Sequence, residues 1–572
     1  MMRRWRHAKR EAVDRIKRRR SGGELVFKVV TVAGMASILL QIEPSAATSK
    51  CANLTGLSLP HTKVTLARSY RAGEMVSGIT KAPVGLCRIA GTSKPSNDSN
   101  INFEVWIPTN GRWNGKYEQI GNGGFAGTIW VSYIAAAVSR GYAAAATDDG
   151  TSGPPLGAAT FIGHPGVLKD FGYRAIKFTT DNSKAIIKRF TGKTPNHSYF
   201  SGCSDGGREA LMEAQRYPND FDGIIAGSPA NDLVGLGASF LWNMQALLAG
   251  PQTHGVPDAY VPTDKITLLS KLVISKCVGK DGGVSTDAFL NDPTICRFDP
   301  AIAQCAAGQN PDTCVTPAQV EAVEKLYRGP HNSEGLLLFP GYEPGTGSNA
   351  TDWPEWLVGT SSTSPGSQYA MTTAFWCNAV LGKATCPFLD FNNEFEAATQ
   401  TIAQMANSTN PDLTQFRRRG GKLIQYAGWA DAAIAPENGL NYYRKVESVM
   451  GDVHDFYRVF MAPGMAHCYG GPGPNSFGNG RSDGPVIDAK HDLLKALEMW
   501  VERGVAPNKI IATKYVSDDP AKGIALQRPL CPYPQISGYN EHGPTSDQSS
   551  FECVAAKGDD DPRNRGVQNA YR

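Results

Sequence analysis

A chain of 572 residues with 41% hydrophobic and 19% charged residues, 61 Gly and 37 Pro exceeds the usual single-core size. It is too apolar to be disordered and too rich in turn formers for a fibre or coiled coil, so one large domain with an insertion, or two domains, is expected. The net charge of +4 resides in the first 47 residues, which hold 11 basic and 4 acidic side chains; the remainder is at −3, with no basic stripe to suggest a nucleic-acid partner.

Residues 1–47 read as a signal peptide. Ten Lys or Arg fall in the first twenty positions, an apolar run from Leu25 to Leu40 follows, and Ser45-Ala46-Ala47 offers small residues for cleavage near Ala47. An uncleaved anchor is the competing reading, against which the apolar run is short for a span. A secreted or periplasmic protein with no stable membrane partner is expected. Export would oxidise the twelve cysteines. Ten pair with near neighbours, 51 with 87, 277 with 296, 305 with 314, 377 with 386 and 531 with 553, which leaves Cys203 and Cys468. A zinc site is disfavoured because no CxxC pair or Cys/His cluster occurs.

Residues 48–233 alternate strand-like and helix-like segments. Strands are predicted in Phe103-Glu104-Val105-Trp106-Ile107-Pro108, at 141–147, at 197–201 and at 221–226, with helices around 168–190 and 208–217. A glycine-rich stretch, Gly121-Asn122-Gly123-Gly124-Phe125-Ala126-Gly127, lies among them. From 234 to 407 the pattern turns irregular and holds six cysteines with Trp353, Trp356 and Trp376, as an inserted lid would. Alternation resumes over 408–572, with strands at 422–427 and 456–460, a helix at 438–450 and a turn-rich tail. Such alternation implies an α/β fold with a parallel sheet covered by helices.

Gly202-Cys203-Ser204-Asp205-Gly206 fits GxSxG and stands between a predicted strand and a predicted helix, where small flanking residues permit a strained turn that presents a serine hydroxyl. A serine needs a histidine base and a carboxylate to orient it. Asp431 and His467 follow the next strands, giving the order Ser, Asp, His. The leftover cysteines flank this chemistry, and a Cys203–Cys468 disulfide would tie the nucleophile turn to the histidine loop; Cys203 as the nucleophile itself is the rival reading. An oxyanion hole needs the Asp205 N–H and a second donor, for which Gly124 or Gly123 is the candidate. The stretch lacks Gly-Lys-Ser/Thr and GxGxxG, which argues against a nucleotide site.

These motifs, with Gly206-Gly207-Arg208, Gly227-Ser228-Pro229-Ala230, Gly428-Trp429-Ala430-Asp431 and Pro463-Gly464-Met465-Ala466-His467-Cys468-Tyr469-Gly470-Gly471, resemble the tannase and feruloyl esterase family of α/β-hydrolases, which also contains mono-aryl ester hydrolases. The resemblance implies an α/β-hydrolase fold with a large inserted lid, a triad of Ser204, Asp431 and His467, and the Cys203–Cys468 bridge beside it. It implies a serine esterase acting on small aromatic esters, plant-wall or tannin derived, with no organic cofactor. A general carboxylesterase, a mono-aryl ester hydrolase and a catalytically idle binding protein are the alternatives.

The family also places a calcium ion in the lid, in an aspartate-rich loop after a cysteine. Here that loop reads Cys277-Val278-Gly279-Lys280-Asp281-Gly282-Gly283-Val284-Ser285-Thr286-Asp287, with valine for the first aspartate. Asp281 and Asp287, with carbonyls near Gly283 and Phe289, are the candidate ligands for an ion that prefers six or more oxygens, and a metal-free, disulfide-held loop is the alternative. Trp353, Trp356, Phe375 and Trp376 are candidates to stack on an aromatic acyl group, or else core. Residues 351–400 contain no Arg and only Lys383, which favours a neutral phenolic acyl group, hydroxycinnamic or gallic, over an anionic one.

Overall fold

The computed structural model describes residues 46–78, 80–345, 352–389, 395–480 and 483–556. The leader expected over 1–47 lies almost wholly outside them. Nine strands form the main sheet: β1 (Thr62–Tyr70), β2 (Leu86–Ser93), β3 (Ile101–Pro108), β4 (Lys116–Ile120), β5 (Ala143–Thr147), β6 (His197–Cys203), β7 (Gly223–Gly227), β8 (Lys422–Gly428) and β9 (Tyr457–Ala462). Their order is β1-β2-β3-β5-β4-β6-β7-β8-β9. The first three strands run antiparallel, β3 meets β5 antiparallel, and every later pairing is parallel.

Parallel strands require helical crossovers, and both faces of the sheet are covered. Consequently β5 and β7 are buried at every residue. The Ala143–Ala146 run has helix propensity but becomes a strand, because β3 and β4 pair with it on both sides. One face packs Phe103, Val105, Phe200 and Leu211; the other packs Trp106, Tyr199, Leu497 and Trp500. The helices that matter for the site are α1 (Val131–Ser139), α2 (Ala175–Thr191) and α3 (Asp205–Arg216).

Between β7 and β8 lies the segment expected to be a lid, and called the lid below, whose longer helices are α4 (Leu233–Leu248), α5 (Thr263–Cys277), α6 (Pro317–Arg328) and α7 (Phe395–Ala406). Asp232 caps α4, accepting the Gly235 N–H, and Thr316 caps α6 in a reciprocal box with Gln319. The lid's apolar core, including Phe240, Leu357, Val358 and Phe375, is continuous with Phe125 and Phe161 of the first half and with Ala432–Ala435 of the second. Helices α8 (Glu437–Met450) and α9 (Leu493–Arg503) and two antiparallel pairs complete the chain: β10 (Ile510–Tyr515) with β11 (Ile524–Leu530), and β12 (Gln535–Tyr539) with β13 (Phe551–Ala555). Among the described residues no helix is long and apolar enough to cross a membrane.

Candidate active site

Strand β6 ends at Cys203 and α3 begins at Asp205, so Ser204 alone makes the turn, at φ 67° and ψ −122°. Such a conformation is costly for a side-chain-bearing residue and must be held by its surroundings. The Ser204 N–H donates to Gly227 O at 3.0 Å, and its carbonyl accepts the N–H groups of Gly207, Arg208 and Ala230. The flanking glycines are required by contact. A Cβ on Gly202 would lie 2.5 Å from Gly206 O, and one on Gly206 would lie 2.8 Å from Asn122 O.

Asp431 follows β8 and is fully buried. Its Oδ1 accepts the N–H groups of Ala433 and Ile434 at 2.9 Å, and its Oδ2 accepts from His467 Nδ1 at 2.8 Å. With the proton thus held on Nδ1, Nε2 is the basic nitrogen of the neutral ring. The Trp356 indole stands edge-on to that ring, with centroids 5.1 Å apart. Ser204 and His467 open on one cavity of about 270 Å³. No hydrogen bond joins the serine hydroxyl to the imidazole, a contact that commonly tightens only when substrate binds. Cys203 and Cys468 form a disulfide with Cα atoms 6.0 Å apart, and the other ten cysteines form the five near-neighbour pairs. Cys203 is therefore not a free thiol.

Asp205 and Gly124 both line the cavity. The Asp205 N–H, at the first residue of α3, has no partner within the helix. Gly123 instead donates its N–H to Asn122 Oδ1 at 3.0 Å, which leaves Gly124 as the better placed of the two glycines. At Gly124 φ is +62° and a Cβ would lie 2.2 Å from Pro155 O, so only glycine fits.

Beneath this loop lies a buried network that motif reading missed. Asn122 accepts the Gly206 N–H at 2.9 Å and donates its own to Glu209 Oε2 at 2.9 Å, docking the loop on α3. Asp149, Asp205 and Glu209 offer carboxylate oxygens within 4.8 Å of one another. The Asp205 carboxylate takes Arg208 Nε at 2.5 Å. Burial, with a neighbouring carboxylate's charge, pushes the Asp149 and Glu209 carboxyls upward, because two adjacent buried carboxyls resist ionising together. The available signal was Asp205, Arg208 and Glu209 at helical spacing on one buried face.

The candidate calcium ligands are both engaged within the protein. The Asp281 carboxylate accepts the backbone N–H groups of Gly283, Asn291 and Asp292. Asp287 is held by Arg528 of β11, with Nη2 2.9 and 3.3 Å from its two oxygens. Both side chains of that pair are buried, so a guanidinium stands beside the carboxylate that a divalent ion would need, and Val278 supplies no side-chain oxygen. Asp281 and Asp287, the expected metal pair, are thus each engaged by protein groups, and Arg528 supplies the positive charge beside Asp287.

Of the four lid aromatics, Trp356 and Phe375 line the cavity, beside Phe125, Trp130 and Phe240. Trp353 is buried against Tyr327 and Tyr342, and Trp376 stacks on Phe395, so these two are core.

A family model described as tannase and feruloyl esterase matches residues 87–554. The chain is similar to an uncharacterized esterase of Xanthomonas campestris pv. campestris, 36% identical over 92% of this chain and 94% of that protein. It is similar also to a mono(2-hydroxyethyl) terephthalate hydrolase of Piscinibacter sakaiensis, 32% identical over 80% and 81%. The crystal structure of feruloyl esterase B from Aspergillus oryzae superposes with a TM-score of 0.81 at 27% identity, covering 89% of this chain and all of that one.

Proposed function

This chain belongs to the tannase and feruloyl esterase family of carboxylic ester hydrolases, and on that premise we propose that it cleaves esters of neutral hydroxycinnamic or gallic acids through an acyl-enzyme on Ser204. The observation that carries the reading is the strained Ser204 turn and the Asp431-bound His467 opening on one aromatic-lined cavity. A dry cavity of about 150 Å³ holds benzene, so about 270 Å³ suits a single aromatic ring with its ester better than a long acyl chain.

In this mechanism Ser204 Oγ attacks the ester carbonyl while His467 Nε2 takes its proton. Asp431 keeps the ring oriented and stabilises the imidazolium. The N–H groups of Asp205 and Gly124 receive the developing oxyanion. The imidazolium then protonates the departing alcohol, and a water activated by the same ring releases the acid from Ser204. Every step uses side chains and backbone of this chain, so no organic cofactor is called on. Six disulfides support export to an oxidising compartment, with the leader removed near Ala47 and plant-wall or tannin-derived esters met outside the cytoplasm.

Ser204→Ala should leave a folded protein whose kcat on methyl ferulate and methyl gallate falls by about 10⁵ or more, and Asp431→Asn should lose about 10⁴. Unchanged turnover in Ser204→Ala would sink the reading, and failure of wild-type Ser204 to label with a fluorophosphonate would favour an idle shell. A second reading, a mono-aryl ester hydrolase for terephthalate monoesters, is favoured by the similarity to the Piscinibacter sakaiensis hydrolase.

A further inference from the structure

One wide helical turn of the lid, Pro354–Val358, carries Trp356 against the His467 ring. The turn is anchored from both sides. The N–H groups of Glu355 and Trp356 donate to Asp352 O, and Leu357 O accepts the Gly366 N–H. Leu357 and Val358 are buried in the lid core, while Glu355 and Trp356 line the cavity.

The cavity's charge is one-sided. Among its described lining residues there is no Lys or Arg, and the charged or readily charged groups are Asp205, Glu355 and His467. Asp205 is neutralised by Arg208, and His467 is bound to Asp431. Glu355 forms no ion pair among the described residues. Burial at the cavity pushes its carboxyl up from the ordinary value, and the nearby His467 pulls it back.

We propose that Glu355 sets the charge selectivity of the acyl pocket, admitting neutral and especially phenolic rings and turning away rings that carry a carboxylate. The proposal rests on the esterase reading and chooses between its two substrate classes. A phenolic hydroxyl can donate to a carboxylate in a strong, charge-assisted bond, whereas a second carboxylate in the same cavity meets an uncompensated like charge. Two such charges several ångströms apart in a half-exposed, intermediate-dielectric site discriminate by about tenfold. The energy is long-range and screenable, unlike a steric fit.

A matched pair of methyl esters tests this at pH 8: monomethyl terephthalate and methyl 4-carbamoylbenzoate, which have nearly the same shape and differ in charge. The wild type should favour the neutral amide about tenfold or more in kcat/KM, and 1 M NaCl should shrink that ratio several-fold. Glu355→Gln should remove most of the preference, and Glu355→Lys should reverse it; circular dichroism confirms that each variant is folded, and the isosteric Gln variant decides if the Lys variant is not. Equal turnover of the two esters by the wild type, or a ratio indifferent to Glu355→Gln and to salt, overturns the proposal. So does cleavage of methyl ferulate with neither para-substituted ester accepted, because shape would then be selecting. Loss of all ester turnover together with no fluorophosphonate labelling of Ser204 would instead bring down the esterase reading, and this proposal with it.

Discussion

The sheet core and the lid hold their parts of the site by different means. In the core, the proposed triad residues sit at or beyond the ends of β6, β8 and β9, where backbone contacts are so close that Gly202 and Gly206 leave no room for a Cβ. The bridge beside Ser204 and His467, Cys203–Cys468, spans 265 residues of sequence. The lid is stapled locally, by bridges that span 19, 9 and 9 residues, and contributes Glu355, Trp356 and Phe375 to the cavity wall but no member of the triad. The difference teaches where each task can reside. Proton transfer and oxyanion stabilisation need positions fixed to a fraction of an ångström, which a parallel sheet supplies. Selectivity needs side chains that can change without moving the sheet, which a separately stapled lid supplies.

Breaking one bridge in each region is the sharpest way to break that comparison. In the chain-entropy account a long loop stabilises more than a short one. Cys203→Ser with Cys468→Ser should cost about 5 kcal/mol in denaturant unfolding and lower kcat at least tenfold, by loosening the His467 loop against Ser204. Cys377→Ser with Cys386→Ser should cost about 3 kcal/mol or less and act on KM more than on kcat. Equal kinetic effects of the two double variants would abolish the distinction.

A second prediction concerns the junction between the lid and the tail. Arg528→Met leaves the buried Asp287 carboxylate unpaired and should destabilise by about 3 kcal/mol, as removal of one partner of a buried pair does. Because Arg528 already compensates the Asp287 charge, EDTA or added calcium should leave the wild-type Tm unchanged within about 1 °C. A calcium-dependent rise in wild-type Tm would show that the lid is held as a metal site instead.

The smallest effect is a pH dependence of the lid's anchorage. Burial pushes the Asp232 carboxyl up to about 6 from an ordinary 3.8, so the folded state binds this proton more tightly than the unfolded chain does. Its contribution to stability is fully present below about pH 4 and is lost as pH rises through 6. Asn at this position still caps α4. Asp232→Asn should therefore flatten a decline on the order of 2 kcal/mol between pH 4 and 6, measured as unfolding free energy across that range; parallel wild-type and variant profiles would refute the assignment.

How much of this was legible depended on range. The nucleophile turn, the strand-to-loop positions of Asp431 and His467, and the near-neighbour cysteine pairs are local patterns, and local backbone chemistry specifies them: small residues permit a strained turn, and short loops close easily. The lid aromatics were legible only as a class. Trp353 and Trp356 are three residues apart, yet one packs in the lid core and the other faces His467, and composition carries no sign of which. The Glu209 and Asp149 pair escaped because buried carboxyls show no motif; a partner 60 residues away in the chain makes them tenable.

By itself the sequence determined the candidate catalytic residues and their order along the chain, because a serine flanked by glycines, an aspartate and a histidine after successive strands, and an even set of cysteines are each defined within a few residues. Tertiary structure decided what depends on distant partners. It placed Arg528 against Asp287 across 241 residues, aimed Glu355 rather than a cation into the cavity, and made a strand of Ala143–Ala146 between two neighbours. Charge compensation and burial are properties of the folded neighbourhood, and no window along the chain contains them.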